Sequence, residues 1–168
     1  MALTKIGKEG ITGISNSANA TAITIDSSER VLMPSQPSFR AESAQLAYVS
    51  TSPIPFASVQ HNVGSHFSTA TNRFTAPIAG TYAFHVHVGF IRLDNASNYA
   101  QLEIRVNGTN DVYSYHNLAL APTNYLHMEV SHLVQLSAND YIDVAFAQSN
   151  TLYYGGPREL QFYGYLVS

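Results

Sequence analysis

Cysteine and tryptophan are absent from this 168-residue chain, lysine occurs only at positions 5 and 8, and charged residues make up 11% of the total. The missing cysteines exclude a disulfide framework, a thiol nucleophile and any Cys-based zinc centre. Two lysines and six scattered arginines, set against a net charge of −3, lack the clustered cations that phosphate binding needs, so no nucleic-acid partner is expected. No run approaches 18 apolar residues and MALTKIGKEG has no apolar secretory stretch, so the expectation is a chain made in a cytosol, without membrane insertion. The Asn-x-Ser/Thr triplets at Asn19, Asn95 and Asn107 therefore carry little weight. Metalloprotease, nucleophile-elbow and phosphate-loop motifs are missing as well, and no cofactor is expected.

What is present is 45% hydrophobic residues, enough for a packed core, wetted by 42 Ser, Thr and Asn residues rather than by charge. Little electrostatic repulsion then separates copies of the chain. Aromatic residues are unevenly placed: before residue 56 only Phe39 and Tyr48 occur, which puts the core C-terminal. Residues 11–33 alternate briefly at Thr21, Ile23 and Ile25, break at Asp26-Ser27-Ser28 and resume at Val31. So short a β pattern needs a partner surface. Pro34 and Pro37 punctuate the chain, giving an expected arm over 1–36 and a head over 37–168.

In the head, strand signals recur every ten to fifteen residues or so between turns, the pattern of an antiparallel sandwich or jelly roll. Tyr82, Phe84, Val86, Val88 and Phe90 share a core-type face, leaving Ala83, His85, His87 and Gly89 on the other. Leu102, Ile104 and Val106 alternate with polar residues before Asn107-Gly108, a pair suited to a tight hairpin turn into Val112–His116. Leu126, Met128, Val130, Val134 and Leu136 continue the theme, with His132 in the same parity, and Ser137–Asp140 turns the chain into Ile142, Val144 and Phe146. On the final strand Tyr163, Tyr165 and Val167 oppose Leu160, Phe162 and Leu166; two apolar faces cannot serve one core, so the tyrosine face is expected to pack against other subunits.

The stretch from Asn72 through Pro77-Ile78-Ala79-Gly80-Thr81-Tyr82 to Phe84 resembles the signature of the globular heads of the complement C1q family, within the tumour necrosis factor superfamily. Phe39-Arg40-Ala41, Asn62 with Phe67, Leu133–Val144 and Phe162–Leu166 resemble flanking segments of that family, in order. The resemblance implies a ten-strand antiparallel jelly roll that forms a homotrimer and binds ligands without catalysis. The collagen-like stem usual in animal members is absent from the sequence, and residues 11–31 are similar to segments near the base of tailed-phage fibre and decoration proteins.

His85-Val86-His87 is the one pattern suggestive of a metal. In a cupin enzyme a glutamate ligand follows four or five residues on, where this chain has Ile91 and Arg92, so both histidines are expected in a subunit interface, with no metal. His61, His66, His116 and His127 are expected as surface residues, Asp140 as a turn residue and Asp143 on a solvated face. These readings combine into a trimeric virion protein of a tailed phage, made in the host cytoplasm. Its trimer contacts would be His85, His87, Tyr163, Tyr165 and Val167, and Ile23, Ile25 and Val31 would anchor it to the capsid or another virion protein. Tyr153 and Tyr154 are candidate contacts to a host-surface glycan or protein. A capsid decoration or short head fibre is favoured, because about 35 upstream residues reach only ~115 Å fully extended. A receptor-binding tail-fibre tip, a free lectin-like module and a cupin-like enzyme are the alternatives.

Overall fold

The computed structural model describes residues 23–43, 47–92, 99–117, 125–153 and 159–168. Side chains within 47–51, 90–92, 125–126 and 148–153, and that of residue 117, also lie outside the description. The chain divides into two units, Met1–Pro34 and Ser35–Ser168.

In the first unit, β1 (Thr24–Ile25) and β2 (Val31–Leu32) form an antiparallel hairpin in which Ile25 faces Val31. Its loop is organised by Asp26, whose Oδ1 accepts the backbone N–H groups of Ser28 (2.8 Å) and Arg30 (3.1 Å) while Oδ2 takes the Arg30 guanidinium at 2.7 Å. The Arg30 N–H, then its guanidinium, then the Ser28 N–H hold the Asp26 carboxyl below its ordinary range. This carboxylate is why the alternation breaks at Asp26 and resumes at Val31: the polar interval builds the turn. Ile23, Ile25, Val31 and Met33 remain exposed.

The second unit contains β3 (Ser38–Ser43), β4 (Ala47–Thr51), β5 (Ser58–Val63), β6 (Phe67–Ser68), β7 (Arg73–Thr75), β8 (Gly80–Arg92), β9 (Tyr99–Val106), β10 (Thr109–Asn117), β11 (Tyr125–Leu136), β12 (Tyr141–Tyr153) and β13 (Leu160–Leu166). Every pairing is antiparallel, and no helix occurs among the described residues. One sheet runs β5-β3-β13-β8-β11; the other runs β6-β7-β12-β9-β10, with β4 beside the far part of β12. The two meet where Arg92 of β8 pairs with Tyr153 of β12. The expected all-β, antiparallel sandwich is therefore what the chain forms.

The core follows strand parity. Tyr82, Phe84, Val86 and Val88 of β8 are buried against Leu102 and Ile104 of β9 and Ile142, Val144 and Phe146 of β12. At one end Phe39 stacks on Phe67 (4.8 Å between centroids) and Phe74 (5.1 Å), with Phe162 edge-on at 4.9 Å. Gly164 in β13 lies flat beneath the Phe84 ring, where an added Cβ would collide with it. The Asn107-Gly108 turn forms as expected: both residues have positive φ (51° and 79°), and Val106 pairs with Thr109 across a two-residue loop. Asn139, φ 73°, turns β11 into β12, and Ser137 N–H donates to Asp140 Oδ2 at 2.8 Å, giving Asp140 its expected turn role.

Asp143 corrects the expectation of a solvated face. It points away from the core yet is fully buried, its carboxylate receiving Arg105 Nε at 2.7 Å and Arg73 Nε at 3.3 Å. Arg73 lies 4.0 Å over the Tyr141 ring, and Arg105 also reaches Ser52 Oγ. Three strands and the segment before Ile54 thus converge on one carboxylate.

Candidate functional site

The parity that buries Phe84 and Val86 turns His85 and His87 to the solvent face of the β5-β3-β13-β8-β11 sheet. Strand register arranges that face in rows. His61, Arg40, Tyr163, His85 and Ser131 cross it in one line; the next towards one end is Glu42, Gln161, His87 and Glu129. On the opposite side of the His85 row lie Ser38, Tyr165, Ala83 and Leu133. One end is therefore charged and the other apolar, with Leu133 63%, Tyr165 51% and Val167 48% exposed.

His85 is the best-fixed side chain of the central row. Its ring stacks on Tyr163 at 4.9 Å and 29°, and its Nδ1 lies 2.7 Å from Ser131 Oγ. Burial pushes the imidazole pKa down; Glu129 opposes this and His87 adds to it. The fold thus disfavours the charged ring relative to a free imidazole. His87 pairs instead with the His127 ring, 6.0 Å away. Arg40 leans on Glu42 at 2.5 Å while its Nε is buried with no hydrogen-bond partner. Tyr163 and Tyr165 form a ridge between two open grooves, one floored by Ala83, His85 and Ser131, the other by Ser38, Arg40 and His61.

Of the expected contact residues, His85 and Tyr163 touch, Tyr165 lies one row away, and His87 lies one row to the other side; Val167 continues beyond β13. Ile23, Ile25 and Val31 belong to the separate hairpin unit. Tyr154 and the Tyr153 side chain lie outside the described residues. Among the described residues no three His, Asp or Glu side chains are grouped to hold a metal.

A second surface, on the other sheet, has no counterpart among the residues expected from the sequence. On the solvent face of β9 and β10, Tyr113 pairs with Glu103 and Tyr115 with Gln101, and the Tyr99 and Tyr115 rings stack at 5.6 Å and 16°. Parity marks these positions as outward, but which tyrosines meet depends on the hairpin register.

The family model of the C1q domain matches residues 38–167, nearly the whole of the second unit. The chain belongs to the C1q domain family. Protein HP-25 homolog 2 of Bos taurus is 25% identical over 139 residues, covering 83% of this chain and 61% of that protein, so the chain spans about three-fifths of the relative's length. Among solved structures, the globular domain of zebrafish complement 1qA protein is similar with a TM-score of 0.60 at 14% identity, covering 79% of this chain and 98% of that one. At such identity the likeness establishes fold alone. The C1q domain carries both faces just described, with the first unit preceding it in sequence.

Proposed function

We propose that this C1q-domain protein is a non-enzymatic, homotrimeric binding head, and that it serves as a virion structural protein of a tailed phage, a capsid decoration or short head fibre assembled in the host cytoplasm. The observation that carries the trimer is the exposed apolar end of the first sheet, Leu133 with Tyr165 and Val167, beside the His85–Tyr163 stack. An obligate interface over this face would bury ~2,000 Å² or more in total. The hairpin arm supports attachment: Ile23 is 53%, Ile25 69% and Val31 64% exposed, and a two-stranded hairpin gains stability by adding to another sheet or apolar surface.

Light scattering at micromolar concentration is expected to give three times the 18.3 kDa chain mass, and Tyr165→Glu, placing three carboxylates at one contact, is expected to dissociate or unfold the assembly. A monomeric parent sinks the trimer. A chain starting at Pro34 is expected to trimerise but not to appear on gradient-banded particles by mass spectrometry. Particles that still carry the truncated head would move the anchor out of Ile23, Ile25 and Val31; absence of the full chain from particles would leave a free ligand-binding module.

A further inference from the structure

The tyrosine strip on β9 and β10 sets exposed rings in register with a carboxylate. Tyr113 and Tyr115 are 56% and 51% exposed, and Tyr99 extends the aromatic surface through its stack on Tyr115. Glu103 sits directly across from Tyr113 and receives Gln101 Nε2 at 2.7 Å. No cation pairs with Glu103 among the described residues. The Arg105 guanidinium, two residues along the strand, is committed to Asp143 at 2.7 Å and to Ser52. A carboxylate with no cationic partner among the described residues thus lies in register with an exposed tyrosine, in a chain of net charge −3.

We propose that this strip binds an organic ammonium group of the trimethylammonium type, its methyls against the Tyr113 and Tyr115 faces and its charge opposite Glu103. Tyrosine faces attract cations through the ring quadrupole. A quaternary ammonium is weakly hydrated and carries diffuse charge, so it loses little on leaving water for a half-exposed aromatic surface. An anion would meet Glu103 unfavourably, and a neutral group would leave that charge uncompensated. The inference does not rest on the trimer or the virion role, because the strip lies on the sheet opposite the proposed contact face.

The test is a chemical-shift titration of the full-length protein with choline and with 3,3-dimethylbutan-1-ol, its uncharged isostere. Choline is expected to shift the ring resonances of Tyr99, Tyr113 and Tyr115 with a dissociation constant in the ~millimolar range, and the alcohol to bind at least about five-fold more weakly. Glu103→Gln and Tyr115→Leu are each expected to weaken choline by about five-fold, whereas Tyr115→Phe, which keeps the ring face, stays within about two-fold. Should Tyr115→Leu fold poorly, Tyr113→Leu and Tyr115→Phe carry the same comparison. Phosphocholine run in parallel tests where the charge sits: its phosphate would meet Glu103, so it is expected to bind more weakly than choline, and tighter binding overturns the position opposite Glu103. Equal binding of choline and the alcohol, shifts confined to other tyrosines, or no saturation below about 0.1 M overturns the proposal.

Discussion

Removing the carboxylate at position 143 isolates a cost that follows from the fold alone. In Asp143→Ala two guanidinium groups lose their acceptor. Arg73 has a side chain 37% exposed and can turn to water, whereas Arg105 is 14% exposed and held near Ser52. Breaking one side of a buried ion pair costs about 3–5 kcal/mol; the partial exposure of Arg73 places the expectation at the lower end, ~3 kcal/mol. For a folding unit of this size each kcal/mol lowers the melting temperature by about 3–4 °C, so a drop of ~10 °C is expected by calorimetry. Asp143→Asn keeps an acceptor but no charge and should fall between parent and alanine. A double-mutant cycle should give stronger coupling of Asp143 to Arg105 than to Arg73, because the former contact is shorter and better shielded. If Asp143→Ala melts within about 2 °C of the parent, the cluster contributes no net stability and the reasoning fails.

Acid should destabilise the head through His85. Burial lowers its folded-state pKa, so below the unfolded value of ~6.5 the unfolded chain takes up the proton first, and stability is lost as pH falls from there towards the depressed folded value. Melting curves at pH 8 and 5 are expected to differ less in His85→Gln than in the parent, and an unchanged pH dependence would remove His85 from that role. Gly108→Ala is expected to cost about 1–2 kcal/mol in thermal melting, since φ is +79° and the added carbon meets Tyr141 Oη at 3.1 Å; an unaffected melting temperature would mean the turn relaxes freely.

The alternation from Tyr82 to Val88 and the Asn107-Gly108 turn could be read in the sequence because each is a local signal, a period of two or a positive-φ pair. The same signal ends at Gly89, which is buried beside Val88 where the β8–β11 register shifts; a β-bulge depends on the partner strand and leaves no mark in parity. Asp143 departs from its expected solvated face for a related reason. Its parity is outward, as the sequence implied, but its burial comes from Arg73, Arg105 and the segment before Ile54, all distant in the chain. Ile54 and Phe56, both buried, likewise stand outside any strand pattern. The face carrying Tyr163 and Tyr165 was recognisable as a second apolar face, whereas the stacking of Tyr163 on His85 needed the β8–β13 register.

The Phe84 ring resting on Gly164 also decides which strand alignment is admissible. Sliding β13 along β8 by one residue would bring Tyr163 or Tyr165 to the place where only a hydrogen fits, and sliding it by two would bring Phe162 or Leu166 there. A one-residue slip would in addition reverse which side chains face inward. Each of these slipped pairings meets a collision at a single point, so this glycine acts as a key that admits β13 between β8 and β3 in one setting. Lengthening or regrafting the loop ahead of β13 should leave that setting unchanged as long as Gly164 and Phe84 are kept together.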